Sequence, residues 1–319
     1  MLFIIILFIL GFILITKGAD IFINYTVIIG KKTNISELVL GATIVSFATT
    51  LPELTVSTVA SLQGHTTMSL GNAVGSIICN TGLVLGLVAF ISPFKVDKNM
   101  FFSKSIILLI SVFLTILLSI DGNINRIDAL LLLLMLLVYM YTNYKSVEKD
   151  SKTDLSKNYN RGSINIKETL KIAVFFILGL VMMVLGSKLL VDNGIKIAEI
   201  IGIPQGIISL TVIALGTSLP ELVSSITAIR KKHHAISVGN VLGANILNIV
   251  SVIGISAIPN DIPILAQTAK IDFPFMIALL LILIIPTIKK HKLHRWQGML
   301  MLSTYLLYMA TLYYIYIVA

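Results

Sequence analysis

The sequence predicts an all-α membrane protein in which ten transmembrane helices form two inverted five-helix repeats, with discontinuous helices meeting near the membrane midplane. Three observations carry this expectation. The 319 residues are 56% hydrophobic and only 12% charged, whereas a soluble domain carries about 25% charged residues. The apolar residues gather in runs long enough to cross a bilayer, which takes about 20 residues per helix. And the stretch from Gly41 to Leu54 recurs 168 positions later as Ser209 to Leu222, with Thr49-Thr50-Leu51-Pro52-Glu53 matching Thr217-Ser218-Leu219-Pro220-Glu221.

Taken in order, the spans fall near 2–28, 38–62, 67–90, 102–120 and 127–144, then 168–198, 204–229, 235–258, 270–288 and 296–318. The first lacks the basic start and the small-residue cleavage pattern of a secretory leader and belongs to the repeat, so it is expected to be retained. Residues 1–142 form the first repeat, 143–167 a polar linker and 168–319 the second repeat. Nineteen of the 24 basic residues lie in the odd-numbered connections, among them Lys31, Lys95, Lys104, Lys145, Arg230 and Lys289. Basic connections face the cytoplasm, which places the 143–167 linker inside and both termini outside. The net charge of +9 is therefore a topology signal and calls for no nucleic-acid partner. Cys79 stands alone, which excludes an intrachain disulfide and a thiolate metal cage.

The repeat extends well past the opening motif. Gly18 falls on Gly186, Thr43 on Thr211, Gly71-Asn72 on Gly239-Asn240, Gly75 on Gly243, Asn80 on Asn248 and Gly86 on Gly254. Matches at Gly, Asn, Thr, Pro and Glu are not what two Leu-rich segments share by composition, and an internal repeat outranks any local signal. Five spans per repeat is an odd number, so the second half enters the membrane from the opposite side. Inverted repeats place substrate sites near the midplane, where broken helices meet. The spans at 102–120, 127–144, 270–288 and 296–318 read as lipid-facing scaffold without buried charge, with Trp296, Tyr313 and Tyr314 as interfacial anchors. Lys17 with Asp20, and Lys188 with Asp192, have helical spacing for self-neutralised pairs. His65, His233 and His234 at loop ends read as solvated residues.

Glu53 and Glu221 carry the chemistry. A charged side chain at the bilayer centre costs roughly 2.5–3.5 kcal/mol on insertion scales, so an intramembrane carboxylate marks a functional site. Each follows a hydroxyl residue and a proline, and in a soluble protein Thr50 or Ser218 with Glu three residues later would be a helix-capping box. At membrane depth a helix restart is itself the anomaly, because irregular backbone is tolerated there only inside protein or beside a wet cavity. Pro52 and Pro220 free the carbonyls of Ala48 and Gly216. Gly71 and Gly75 permit close helix packing, Ser76 and Asn80 share one helix face, and Asn72 and Asn240 are placed to bond broken helix ends. The outcome is an all-oxygen shell. Such ligands suit calcium, magnesium, manganese or alkali cations over zinc or copper. Calcium tolerates flexible shells of about six to eight oxygens, and two carboxylates match one calcium or two sodium ions.

At these residues the sequence resembles the calcium/cation antiporter superfamily, the sodium/calcium exchangers in particular. The resemblance implies ion sites built from Thr49, Thr50, Glu53, Ser76 and Asn80 in one repeat and Thr217, Ser218, Glu221 and Asn248 in the other, with backbone carbonyls at Ser46 and Ala214. It implies a monomeric, cell-membrane antiporter that exchanges calcium for sodium by alternating access, spans 1 and 6 rocking together, with no cofactor beyond the transported ions. Three departures stand out. Ala48 replaces the usual glycine and is expected to stiffen that break, Ala244 removes the hydroxyl present at Ser76, and Asn248 is neutral where potassium-dependent members carry Asp. Proton-coupled members place a Glu just after the Gly-Asn pair, where this chain has Val74-Gly75 and Leu242-Gly243, so sodium coupling is expected over the alternative, a cation/proton exchanger. An intramembrane acid/base enzyme would use the same two carboxylates, but no nucleophile or phosphate-binding loop accompanies them. A channel is the remaining reading, and duplicated broken helices in one chain favour a transporter.

Overall fold

A computed structural model describes residues 1–153, 166–200 and 214–315. Its elements are α1 (Leu2–Thr33), α2 (Glu37–Leu62), α3 (Thr66–Ile91), β1 (Phe94–Lys95), α4 (Lys98–Leu118), β2 (Asn123–Ile124) and α5 (Arg126–Thr153). The second half follows with α6 (Ile166–Ile200), α7 (Ala214–Thr217 and, after a turn at Ser218, Leu219–Arg230), α8 (His234–Ser256), β3 (Ile262–Pro263), α9 (Thr268–Lys290), β4 (Lys292–Leu293) and α10 (Arg295–Tyr313). Among the described residues, eight helices are long and apolar enough to cross a membrane. The start of the expected 204–229 span and the end of the 296–318 span lie outside the described residues. So do residues 154–165 of the expected linker, whose first part continues α5 as far as Thr153.

Local chemistry sets the ends. Asn34, in the left-handed conformation (φ 56°), closes α1 by donating its N–H to the Gly30 carbonyl, a C-cap that Asn tolerates well. Asp97 caps α4 by accepting from the Met100 N–H at 2.8 Å, and α10 opens with a reciprocal cap between His294 and Gln297.

Helix packing follows the small residues that the repeat shares. On α1 and α6, a Cβ at Gly11 would lie 2.9 Å from the Gly186 carbonyl oxygen, and one at Gly18 would lie 2.8 Å from that of Gly179. The rising positions of α1 therefore meet falling positions of α6: the two run antiparallel at close approach, a contact only small residues allow. Likewise a side chain at Gly41 would collide with the Ile236 carbonyl of α8, and one at Gly239 with the Leu38 carbonyl of α2. Burial divides the molecule unequally. In α8, 94% of the apolar window is covered by protein, against 22% in both α1 and α6. Ile15, Ala19, Phe22 and Met183 of that outer pair belong to a small apolar cluster with Val45, Ala48, Ala228 and Ile236, separate from the large core of α3, α4, α5, α8, α9 and α10.

The two faces of the bundle are tied by different connections. Antiparallel β1–β4 pairing, with Phe94 opposite Leu293, joins the third and ninth connections, and β2–β3, with Ile124 opposite Ile262, joins the fourth and eighth. Beside the first pair, Glu37 meets His233 at 2.6 Å, Ser92 meets His234 at 2.9 Å and Lys32 meets Glu168 at 2.6 Å. His233 and His234, expected to be solvated, are thus partnered. Beside the second pair, Arg126 donates to the Ile258 and Pro259 carbonyls and Asn260 to that of Ser61. Among the described connections, the first, third, seventh and ninth are joined by these contacts, and so are the second, fourth and eighth.

Two expectations about charge need correction. Lys104, counted among the loop lysines, is only 1% exposed. The helix starts at Lys98 and carries Lys104 inward, where its ammonium donates to Asn143 and lies 5.4 Å from the Tyr139 ring centroid. Its match 168 positions on, Asp272, is 4% exposed and accepts from the Tyr308 hydroxyl at 3.1 Å and from Gln267 at 3.3 Å. The scaffold therefore does hold buried charge. Asp20, expected to pair with Lys17, instead meets Lys231 at 3.3 Å, and Lys231 also donates to Asn24 at 2.8 Å, linking α1 to the end of α7.

Candidate cation site

Pro52 and Pro220 lie at matched positions, yet the helices treat them differently. Around Pro220 the helix breaks, with Ser218 in a turn (φ −88°, ψ 5°) between the two pieces of α7. Around Pro52 the helix stays closed from Ser46 to Leu62, and the irregularity sits earlier, in a π-helical turn over Gly41–Val45. The cause lies in the neighbours. Glycine at 216 costs about 1 kcal/mol of helix propensity relative to the alanine at 48, and the carbonyl that Pro220 frees at Gly216 is met by the Ser187 hydroxyl of α6 at 2.7 Å. Ser187 matches Ala19 in the first repeat, which has no hydroxyl to offer Ala48. The helix restart expected at Thr50–Glu53 is therefore absent from the first repeat, and among the described residues the break lies in the second.

Asn80 and Asn248 each open a π-helical turn, Asn80–Leu85 in α3 and Asn248–Ile253 in α8. Such turns concentrate at functional sites, because the extra residue re-aims a side chain and leaves backbone carbonyls loosely held. The Asn80 turn packs against α7, which carries Glu221, and the Asn248 turn packs against α2, which carries Glu53. The asparagine-led turn of each repeat thereby packs against the glutamate-bearing helix of the other.

Burial is complete where the site should be. Glu53 and Glu221 are 0% exposed, and Ser46, Thr49, Thr50, Ser76, Asn80, Ser218 and Asn248 are buried with them; Thr217 is half-buried. The helices that carry the two carboxylates, α2 and α7, pack against one another. Neither carboxylate has a hydrogen-bond partner at either oxygen, and the hydroxyls of Thr50, Ser76 and Ser218 and the side-chain amides of Asn80 and Asn248 are also unsatisfied. Buried polar atoms are nearly always paired, and an unpaired buried charge is costlier still. The unpaired atoms around the two carboxylates are mostly hard oxygens, a donor set that suits a hard cation. Among the described residues no group of three or more His, Cys, Asp or Glu side chains forms a metal cage, so neutral oxygens must complete the shell.

Thr49 donates to Asn240 at 3.1 Å and Thr217 to Asn72 at 3.2 Å. The Ser46 hydroxyl bonds to the Thr43 carbonyl at 3.2 Å, and its own carbonyl faces Thr49 at 3.4 Å. Ala214 begins the short turn that ends at Thr217, and the residues before it lie outside the described ones. Asn72 bonds the Glu53 carbonyl and the Ser57 hydroxyl, both within an unbroken helix, so neither of these bonds goes to the broken helix end expected for it. Sequence reasoning missed Tyr305 of α10, whose side chain lies against Gly82 in the turn that Asn80 opens. It also missed Ser187, whose only signal was its place next to the repeated Gly186.

A bundle of apolar helices that buries orphaned carboxylates and neutral oxygens where repeated helices meet defines a membrane transporter for hard cations. Comparison with known proteins makes this particular. The sequence model of the family described as sodium/calcium exchanger protein matches twice, over residues 3–145 and 171–314, and the chain belongs to that family, one of transporters and not of enzymes. It is 30% identical to the sodium/calcium exchanger MaX1 of Methanosarcina acetivorans over 96% of this chain and 97% of that one. It is 31% identical to the inner membrane protein YrbG of Escherichia coli over 97% and 96%. A solved structure of the sodium-calcium exchanger NCX_Mj, soaked with sodium and strontium, superposes with a TM-score of 0.84 at 33% identity, covering 96% of this chain and 97% of that one.

Proposed function

We propose that this protein is a secondary active antiporter that exchanges calcium for sodium across the cell membrane by alternating access. The observation that carries the reading is the set of buried, unpaired oxygens on Glu53, Glu221, Thr50, Ser76, Asn80, Ser218 and Asn248. Together with the hydroxyls of Thr49 and Thr217 and the carbonyls of Ser46 and Ala214, they replace the hydration shell of the ion. Glu53 and Glu221 supply two negative charges, which one calcium or two sodium ions neutralise equally well. An empty site leaves two neighbouring carboxylates in a low-dielectric interior, where the desolvation penalty is several kcal/mol per ion. Loaded protein therefore changes conformation and empty protein does not, and that asymmetry couples the two fluxes. One chain supplies both carboxylates, so a monomer suffices.

The architecture is read as ten helices in two inverted repeats, 1–142 and 168–319, joined by a cytoplasmic linker. Antiparallel crossing of α1 with α6 at matched glycines and the exchange of strands between matched connections support it, as does the doubled family match. The face that gathers the basic connections is the cytoplasmic one, and both termini are extracellular. The α1–α6 pair, with its separate apolar cluster, is the body that shifts against the rest. In proteoliposomes, calcium uptake is expected only against an outward sodium gradient. Uptake indifferent to sodium and driven by a proton gradient would instead make the protein a cation/proton exchanger.

A further inference from the structure

We infer that Asn72 and Asn240 are positioning residues for cation binding: each takes the hydroxyl proton of the threonine contributed by the opposite repeat, leaving that threonine's lone pairs to the ion. The inference rests on the proposed reading that Thr217 and Thr49 are ligands. Neither asparagine belongs to the ligand set, yet both are built into it at matched positions, and the direction of each bond follows from the network.

On α3, the Asn72 amide nitrogen lies 3.4 Å from the Glu53 backbone carbonyl and 2.9 Å from the Ser57 hydroxyl. A carbonyl only accepts, so the nitrogen faces α2 and the amide oxygen faces Thr217 at 3.2 Å. On α8, the Asn240 nitrogen lies 3.2 Å from the Ser224 hydroxyl. Ser224 has spent its own proton on the Glu221 carbonyl at 3.1 Å and can only accept, so the Asn240 oxygen faces Thr49 at 3.1 Å, a nearer acceptor for that hydroxyl's one proton than the Ser46 carbonyl at 3.4 Å. A hydroxyl has one proton and two lone pairs. With the proton held by an amide oxygen, both threonines present only lone pairs to the site, as a cation requires. Released from that partner, the hydroxyl would turn its proton to the nearest carboxylate and compete with the ion. Each asparagine also grips the Glu-bearing helix of its own repeat, so the ligand geometry of one half is set by the backbone of the other.

The test is a double-mutant cycle on the purified full-length protein in detergent, with the calcium dissociation constant read by calorimetry and the melting temperature read alongside. Partners that orient metal ligands typically contribute 10–100-fold in affinity, so Asn72→Ala and Thr217→Ala should each weaken calcium binding by about that factor. The double variant should bind no worse than Thr217→Ala alone, because Asn72 acts only through the hydroxyl. The cycle of Asn240→Ala with Thr49→Ala should behave alike, and it serves if a variant of the first pair fails to fold. Factors that multiply in the double variant, or an Asn72→Ala protein that melts earlier but binds calcium normally, overturn the inference. Should Thr217→Ala and Thr49→Ala leave binding unchanged, the threonines are not ligands, and the reading of the site fails along with the inference.

Discussion

At the scale of single residues, the argument turns on two carboxylates with nothing to bond. Replacing either by glutamine keeps the shape and removes the charge, so Glu53→Gln and Glu221→Gln should each abolish calcium uptake while leaving the protein folded. Thermal melting separates loss of site from loss of fold. A ligand at about 100 times its dissociation constant stabilises the folded state by about 2.7 kcal/mol, so calcium should raise the melting temperature of the wild type and of neither variant. Without calcium both variants should melt no lower than the wild type, because a costly buried charge is gone. A calcium-dependent shift that survives in either variant would remove that glutamate from the site. The burial of both glutamates was legible in the sequence because charge in an apolar run has no innocent reading, whereas Asn248 was singled out as a ligand only through the family resemblance. Lys104 was not: a lysine six residues into a helix looks, in one dimension, like a loop lysine. Its burial depends on Tyr139 and Asn143, distant in the chain.

At the scale of helices, matched sequences have folded into unmatched shapes. The second repeat breaks at Ser218 while the first stays closed over Pro52. Sequence foresaw where the backbone would lose hydrogen bonds, because proline dictates that, but it expected a helix restart at both proline motifs, and the first stays closed. It did not foresee that Ser187 on α6 meets the Gly216 carbonyl, since that contact spans elements. Nor did it foresee the π-helical turns that start at Asn80 and Asn248, which depend on packing more than on residue type. Ser187→Ala should cost about 1 kcal/mol of stability through the unpaired carbonyl, measured by denaturant titration. It should also slow exchange, because α6 loses its tie to the break that carries Glu221. Unchanged transport in Ser187→Ala would mean that this tie plays no part in the conformational cycle.

At the scale of the whole molecule, the repeat makes a strong geometrical demand: matched connections must lie on opposite faces. Strand pairing obeys it, since β1 and β3 are matched in sequence yet pair with β4 and β2 respectively. The composition could suggest ten crossings, and the distribution of lysine and arginine could suggest their sense, but neither could say which connections touch. Single cysteines introduced into a Cys79→Ser background test the sidedness. Lys290→Cys, exposed at the end of α9, should react with an impermeant maleimide only from the cytoplasmic side, and Asp121→Cys, exposed in the fourth connection, only from outside. Labelling of both from one side would contradict inversion.

The central claim is that one pair of acidic side chains holds calcium and sodium in turn. Equilibrium binding of radiolabelled calcium to the purified protein, titrated with sodium, addresses it most directly. The account predicts one calcium per chain, displaced by sodium along a curve steeper than simple one-for-one competition, and no binding in Glu53→Gln or Glu221→Gln. Calcium that stays bound at saturating sodium, or that binds equally well without either carboxylate, would contradict it.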